Sequence, residues 1–164
     1  MQAIIHDLED ELFQTLRFSD DLAVIHAKGK YAFCQGCFKC WLKNPGYCVM
    51  GDSIQHIGAT IGASDQLVII SRITYGGYSS PVKKVLDRSI GTSLPFFTYR
   101  GWQTHHMKRY RRKQNLRVYL YGSCSALEKE TARKLIEMNR INMGMKEATL
   151  QFLNDAEDLR GCPI

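Results

Sequence analysis

The sequence predicts a single α/β domain, residues 1–164, built on a five-stranded parallel β-sheet. Its 164 residues match the length of one ordinary domain. Apolar segments of strand length alternate along it with amphipathic segments of helix length. The segment 66–71 is apolar on both faces, as the central strands of parallel sheets are. Strands that alternate with helices form a parallel sheet with helices on both faces and right-handed crossovers.

The first half of the chain supplies three of the expected strands, at residues 1–6, 22–26 and 66–71. An amphipathic helix is expected at 7–18, capped by Asp7, because acidic side chains follow in its first turn. A second helix is expected from Asp52 to about residue 62. A cysteine-rich loop, residues 34–48, precedes that second helix.

The second half supplies the other two strands, at 116–122 and 147–153, with a long helix at 126–143 between them. Ser79 or Ser80 is expected to cap a third helix that has Pro81 in its first turn. Asp87 and Arg88 are expected to pair with each other near the end of that helix. Residues 91–114 predict an irregular insert, and residues 154–164 a tail.

Composition and charge exclude several classes of protein. Hydrophobic residues make up 45% and charged residues 23%, which is typical of a globular chain. No apolar run reaches membrane-spanning length and the first residues turn acidic, so we expect a soluble cytoplasmic protein. Residues 108–113 hold five of the 22 basic residues that give the net charge of +6. We expect this segment to be solvated surface or an oligomer contact, with dinucleotide or flavin phosphate as an alternative and nucleic acid least favoured.

Four of the six cysteines fall in one short window with the spacing C-x2-C-x2-C-x7-C, at Cys34, Cys37, Cys40 and Cys48. A secreted disulfide scaffold would spread its cysteines along the chain, so a metal or redox site is the better interpretation. A 4Fe–4S cluster, a zinc ion and a redox disulfide are each compatible with four nearby thiols. Buried structural thiols are the fourth alternative, because free cysteine packs well.

Residues 34–90 carry a series of motifs: CQGCFKCW, PGYCVMGD, the strand QLVIIS, the loop TYGGYSS and the helix VKKVLDRSI. In this order and spacing they resemble the NADPH-dependent FMN reductase branch of the flavodoxin-like superfamily, and in particular its iron–sulfur flavoproteins. The resemblance implies a flavodoxin-like sheet of strand order 2-1-3-4-5. It also implies FMN as cofactor, NAD(P)H as electron donor, a small electron acceptor, and a homodimer or larger homo-oligomer.

The resemblance also assigns site residues. The loop after the third strand would contact the flavin ring, which carries over Thr74, Tyr75, Gly76, Gly77, Tyr78 and Ser79, together with Gly122 and Ser123 after the fourth strand. Glycines let the backbone approach a flat ring, and tyrosines offer stacking surfaces. The four clustered cysteines carry over as ligands of a 4Fe–4S cluster. Phe96 and Phe97 lie where the resemblance implies a subunit interface.

The sequence departs from that family after the first strand. The family has a loop rich in glycine and hydroxyl groups there, which holds the FMN phosphate at a helix N-terminus. This chain has no glycine or hydroxyl at residues 6–11, and four acids instead: Asp7, Glu9, Asp10 and Glu11. Because a phosphate would meet like charge without donors, its binding at this place is not expected. Either FMN has its phosphate contact elsewhere, or it binds weakly, or this chain has lost it. The alternative function is therefore a relative that has lost FMN and serves as a metal-binding or interaction protein.

Overall fold

The computed structural model describes residues 1–164 and contains seven strands. They are β1 (Gln2–His6), β2 (Leu22–His26), β3 (Gln66–Arg72), β4 (Ser93–Arg100), β5 (Gln103–Lys108), β6 (Asn115–Tyr121) and β7 (Ala148–Leu153). Five of them form one parallel sheet in the order β2, β1, β3, β6, β7. This order corresponds to the expected 2-1-3-4-5 when only the parallel strands are counted, because β6 and β7 are the fourth and fifth of them.

The helices cover both faces of the sheet. They are α1 (Asp10–Thr15), α2 (Lys39–Leu42), α3 (Ile57–Ala63), α4 (Ser80–Arg88) and α5 (Ala126–Asn142), with short 3₁₀ turns at Ser89–Thr92 and Ala156–Gly161. Helices α3, α4 and α5 bury apolar side chains in an 18-residue core on one face. Helix α1 and the last 3₁₀ turn enclose a nine-residue core on the other. No helix is both long and apolar enough to cross a bilayer.

Helices α4 and α5 both begin with side-chain caps, and the cap of α4 is the one that the sequence predicts. The Ser79 hydroxyl accepts a hydrogen bond from the Val82 amide, with Pro81 in the first turn. Ser125 and Glu128 form a capping box at the start of α5. Such caps satisfy amide groups that have no partner inside the helix. The predictions of a serine cap for α4 and of a long helix near 126–143 are confirmed.

The two helices expected to start at aspartates begin later than predicted. Helix α1 starts at Asp10 without a side-chain cap, and α3 starts at Ile57. The physical reason is that both candidate caps bind elsewhere. The Asp7 carboxylate accepts hydrogen bonds from the Arg72 amide and the Tyr121 hydroxyl. The Asp52 carboxylate instead forms an ion pair with Arg88 and accepts hydrogen bonds from the Ala32 and Ile54 amides.

The prediction of an irregular insert at 91–114 is wrong, because β4 and β5 form an antiparallel hairpin there. Arg100 pairs with Gln103, which leaves Gly101 and Trp102 as the two turn residues. Both have positive φ, at +54° and +65°. A two-residue turn of this kind matches the twist of the flanking strands. The hairpin has no hydrogen-bonded neighbour in the main sheet.

A buried ion pair fixes the cysteine loop to α4. The Arg88 side chain is 0% exposed, and its guanidinium donates to both carboxylate oxygens of Asp52 at 2.7 and 2.9 Å. It also donates to the Ala32 carbonyl at 2.9 Å. The expected pairing of Arg88 with Asp87 is wrong, because Asp87 lies one turn from Lys83 on the exposed face and bonds to it. The hydrogen bond from Arg88 holds the pKa of the Asp52 carboxyl below its ordinary value.

Replacing Asp52 with asparagine should lower the free energy of unfolding by about 2 kcal/mol, because it leaves the Arg88 cation buried without a counter-charge. Urea denaturation measures this. Since folding depresses the pKa of Asp52, the wild type should lose stability as pH falls below about 4, and Asp52→Asn should lose less over that range. Asp87→Asn is the matched control, because its ion pair is exposed and should contribute under 1 kcal/mol. Equal stabilities of the two variants would contradict this account.

Candidate functional site

The four clustered cysteines converge on one small cavity. Cys34, Cys37, Cys40 and Cys48 line it together, and its volume is about 30 Å³. Arg88 and Ile90 form part of its wall. All four thiols are free, with Cys34 and Cys37 exposed and the other two half-buried. The loop therefore places all four cysteines in the lining of one cavity.

The second half of the cysteine loop is anchored by hydrogen bonds. The Trp41 indole donates to the Ile90 carbonyl at 3.0 Å, and the Cys48 amide donates to Gln55 at 2.8 Å. The chain turns back at Gly46, whose φ is +86° and whose amide donates to the Cys40 carbonyl. A side chain at residue 46 would meet the Tyr110 hydroxyl at 2.6 Å. This turn delivers Cys48 to the other three cysteines.

The first half of the loop is held less tightly. The amides of residues 33–37 donate to no protein acceptor. Burial is the main cause that raises the pKa of the Cys40 thiol, and the nearby Cys48 adds to it. No three side chains of His, Cys, Asp or Glu are arranged around a single metal-ion position anywhere in the chain.

A second cavity lies at the carboxyl ends of the strands β1, β3 and β6, where the strand order reverses. Ligands of open parallel sheets bind at this switch point. The crevice has a volume of about 570 Å³ and is lined by twelve residues, among them the acids Asp7, Glu9, Glu11 and Glu157 and the bases Lys28 and Arg72. Acids therefore outnumber bases by two. The crevice is unfavourable for a dianionic phosphate.

A buried carboxylate of the chain itself lies at the strand ends in that crevice. Asp7 is only 2% exposed. Its two carboxylate oxygens accept from the Arg72 amide at 3.2 and 3.1 Å, and the Tyr121 hydroxyl donates to it at 3.0 Å. Burial, reinforced by this carboxylate, raises the pKa of Tyr121. Asp7 therefore occupies the donors that the ends of β3 and β6 present to the crevice.

The loop predicted to contact a flavin ring forms a tight turn after β3. Thr74 and Gly77 exchange backbone hydrogen bonds of 3.0 and 2.8 Å, while the amides of Tyr75, Gly76 and Tyr78 have no protein acceptor. Tyr75 is 88% exposed at the tip, with φ of +50°. Gly76 is required by packing, because a Cβ there would lie 2.7 Å from the Glu128 carbonyl of α5.

The eight predicted flavin-binding residues do not line one cavity. Ser79 lines the switch-point crevice. Gly77 and Tyr78 line a different groove of about 620 Å³ between α4 and α5. Burial raises the pKa of Tyr78 to about 12, and its hydroxyl accepts a hydrogen bond from Asn139. Gly122, with φ of +108°, and the exposed Ser123 lie in the turn after β6.

The sequence alone does not predict the partners of Arg88, Asp7 and Tyr121. From the sequence, Asp7 is expected only as a helix cap and as one of four acids after the first strand. Nothing local to Tyr121 indicates that its hydroxyl meets Asp7, because the two residues are 114 positions apart. The partner of Arg88 is likewise 36 positions away.

Comparison with solved structures identifies the fold. The sequence matches no protein-family model, and no curated protein is similar to it. An FMN-dependent NADH-azoreductase from Bacillus anthracis, in complex with FMN, is 11% identical with a TM-score of 0.54 over 98% of this chain and 92% of its own. The Trp repressor binding protein of Bacillus subtilis is 17% identical, with a TM-score of 0.53 over 97% and 90%. The azoreductase AzrA is 10% identical, with a TM-score of 0.55 over 98% and 89%.

The likeness extends over nearly the whole of each chain. At 10–17% identity it establishes the architecture alone. The protein has a flavodoxin-like fold. Its cofactor, substrates and reaction must be argued from its own residues.

The cysteine geometry predicts unequal thiol reactivity in the metal-free protein. Cys34 and Cys37 are exposed, whereas burial and neighbouring thiols raise the pKa of Cys40. Since the thiolate is the nucleophile, Cys40 should react with iodoacetamide at pH 8 about tenfold more slowly. Its rate should still rise above pH 9. Peptide mass spectrometry over a time course measures the rates, and equal rates at all three positions would contradict the burial of Cys40.

Proposed function

We propose that the protein is an oxidoreductase of the flavin-dependent NAD(P)H kind whose own redox centre is a 4Fe–4S cluster on Cys34, Cys37, Cys40 and Cys48. The convergence of these four thiols on one cavity carries the proposal. Four thiolates are the usual ligand set of such clusters, which transfer single electrons. The azoreductases of similar fold support the oxidoreductase class.

The cysteine loop is compatible with a cluster. Each iron of a 4Fe–4S cluster takes one protein thiolate, so the ligands need not surround a single ion. The cavity of about 30 Å³ is smaller than a cluster, so residues 33–37 must move outward. Their amides have no protein acceptor, so this movement breaks no backbone hydrogen bond that they donate. Arg88 lies in the cavity wall with its charge paired with Asp52, and its unpartnered Nε is a donor for a thiolate.

The ring of a flavin has a candidate place on the loop Thr74–Ser79, with Gly122 and Ser123 beside it. The unpaired amides of Tyr75, Gly76 and Tyr78 are suitable donors for the polar edge of the ring. The exposed Tyr75 offers a stacking surface. A flavin supplies hydride acceptance from NAD(P)H and delivery of electrons to a small acceptor. The role of these chain residues is to bind and orient the ring.

The phosphate of FMN does not fit the position after β1. Asp7 occupies the donors there, and acids outnumber bases in the crevice. A bound flavin would therefore be held through its ring alone, and riboflavin should serve as well as FMN.

The same observation favours a second candidate function. With the phosphate position closed by Asp7, the chain is also suited to be a flavodoxin-like relative without FMN. Such a relative would act as a metal-binding or interaction protein through its cysteine loop. Flavin binding separates the two candidates, because only the first requires it.

The proposal includes a compartment and an assembly. All six cysteines are free thiols, which persist in a reducing compartment, so the proposed location is the cytoplasm. The hairpin exposes Phe96 and Phe97 next to the cysteine loop, where Phe97 and Trp41 both contact His106. Clustered exposed aromatic side chains favour self-association, so the proposed form is a homo-oligomer joined through this surface.

Anaerobic purification, followed by iron and sulfide assays, tests the cluster. The wild type should hold about four irons and four sulfides per chain, with a broad visible absorption. Cys48→Ser should lose most of the iron, because serine is a poor ligand for these clusters. Cys162→Ser is the matched control, since Cys162 lies outside the cavity and should retain full loading. Loss of iron in neither variant, or equal loss in both, would contradict the assignment.

Fluorescence titration with riboflavin and FMN tests the closed phosphate position. The wild type should bind riboflavin at least as tightly as FMN. Asp7→Ser should shift the preference toward FMN at least tenfold, because it removes a buried negative charge where the phosphate would lie. Asp10→Asn removes an exposed acid that does not line the crevice, so it should leave the preference unchanged. A wild-type preference for FMN would contradict the proposal, and refusal of both flavins would favour the second candidate.

A further inference from the structure

A basic cleft of about 430 Å³ opens beside the β4–β5 hairpin. Ten residues line it, none of them acidic. Six are cationic: Arg100, Lys108, Arg111, Arg112, Lys113 and Lys146. Like charges converge on a site at a cost in free energy, which an anionic ligand would offset.

Few of these cations are neutralised by the chain. Carboxylates pair with only two of the six, Arg112 with Asp65 and Lys146 with Glu147. Arg100 donates to carbonyls at the end of α5, and Lys108 to that of Gly144, which positions both without cancelling their charge. Burial, and then the nearby Arg100, lowers the pKa of Lys108. Arg111 and Lys113 have no hydrogen-bond or ion-pair partner through their side chains. Four cations of the cleft therefore lack a carboxylate.

One exposed aromatic side chain lines the cleft, and a second lies at the turn of the same hairpin. Tyr99 lines the cleft and is 80% exposed. Trp102, at the turn of the same hairpin, is 99% exposed and has φ of +65°. Neither ring contributes to a core, and a tryptophan in the left-handed region costs conformational energy. Their faces are free to stack on a ligand.

We propose that this cleft binds single-stranded nucleic acid, with backbone phosphates on its cations and unpaired bases stacked on Tyr99 and Trp102. A basic groove beside exposed aromatic side chains is the combination that single-strand binding requires. A duplex would not offer its base faces to these rings. From the sequence, nucleic acid is the least favoured partner of the basic segment 108–113. The hairpin changes this ranking, because it places aromatic rings beside that segment.

A pyridine dinucleotide is a poorer fit to the cleft. Lys146 and Gly144 precede β7, so the cleft lies at the amino ends of the parallel strands. The loop Thr74–Ser79 follows β3 and lies at the opposite edge of the sheet. A strand of seven residues separates the edges by about 20 Å. The groove lined by Gly77 and Tyr78 reaches Lys108, which also lines the cleft, so a dinucleotide would have to span that groove to bring its ring to the loop.

Fluorescence anisotropy with a labelled 12-nucleotide oligothymidine tests the proposal on the full chain. With four uncompensated cations, the logarithm of the binding constant should fall with that of salt concentration with a slope of about −3. Binding should also quench the fluorescence of Trp102. The same sequence annealed to its complement should bind at least tenfold more weakly. This assay needs neither flavin nor iron, so its result is independent of the proposed oxidoreductase function.

Matched variants assign the binding to the cleft. The double change Arg111→Ala and Lys113→Ala should weaken binding at least tenfold and reduce the salt slope by about 1.4. The double change Arg17→Ala and Lys30→Ala removes the same charge from exposed positions outside the cleft and should have much less effect. Trp102→Ala should weaken binding about tenfold with the salt slope unchanged.

Several results would overturn the proposal. They are no binding at low salt, equal binding of duplex and single strand, and equal losses in the two charge variants. Displacement of the oligonucleotide by micromolar NADPH would reassign the cleft to a dinucleotide.

Discussion

The buried ion pair between Arg88 and Asp52 is the interaction on which the cysteine site depends. A guanidinium without solvent contact is costly to bury, and here two hydrogen bonds to Asp52 and one to the Ala32 carbonyl offset that cost. The same Asp52 carboxylate accepts from the Ala32 and Ile54 amides. One charge pair therefore joins α4 to both ends of the loop that carries the cysteines.

The ion pair also leaves one buried donor of Arg88 beside the cysteine cavity. The Nε atom of Arg88 is buried without a hydrogen-bond partner, and Arg88 lines the cavity. An unpaired buried donor is unfavourable unless a ligand or a moving group supplies an acceptor. Thiolate sulfur is such an acceptor. The cavity wall therefore contains a buried donor, whereas the lining of the switch-point crevice contains more acids than bases.

The sequence was sufficient for the architecture and insufficient for the long-range polar contacts. Apolar periodicity located the five parallel strands and helix α5, because burial imposes that pattern directly on the residues. Helix α1 is shorter than predicted, because the Asp7 carboxylate accepts hydrogen bonds from β3 and β6 instead of capping the helix. No local sequence pattern indicates those partners. The hairpin was missed because Gly101-Trp102 is an unusual pair for a turn that requires positive φ at both positions.

The candidate site, too, is predictable from the sequence only in part. Cysteine spacing alone indicated a shared site, since the four cysteines lie within one loop, and all four line one cavity. The predicted ring-binding residues share a loop, yet the fold assigns Ser79 to one cavity and Gly77 and Tyr78 to another. Which side of a loop faces a cavity is decided by packing against α5, through the close approach of Gly76 to Glu128. No pattern within the loop contains that information.

The most direct test of the redox assignment is electron paramagnetic resonance of the anaerobically purified protein after reduction with dithionite. The account predicts the low-temperature signal of a reduced 4Fe–4S cluster in the wild type, absent from Cys48→Ser. An iron-free protein that gives no such signal, with its four thiols joined as disulfides or bound to zinc, would contradict it.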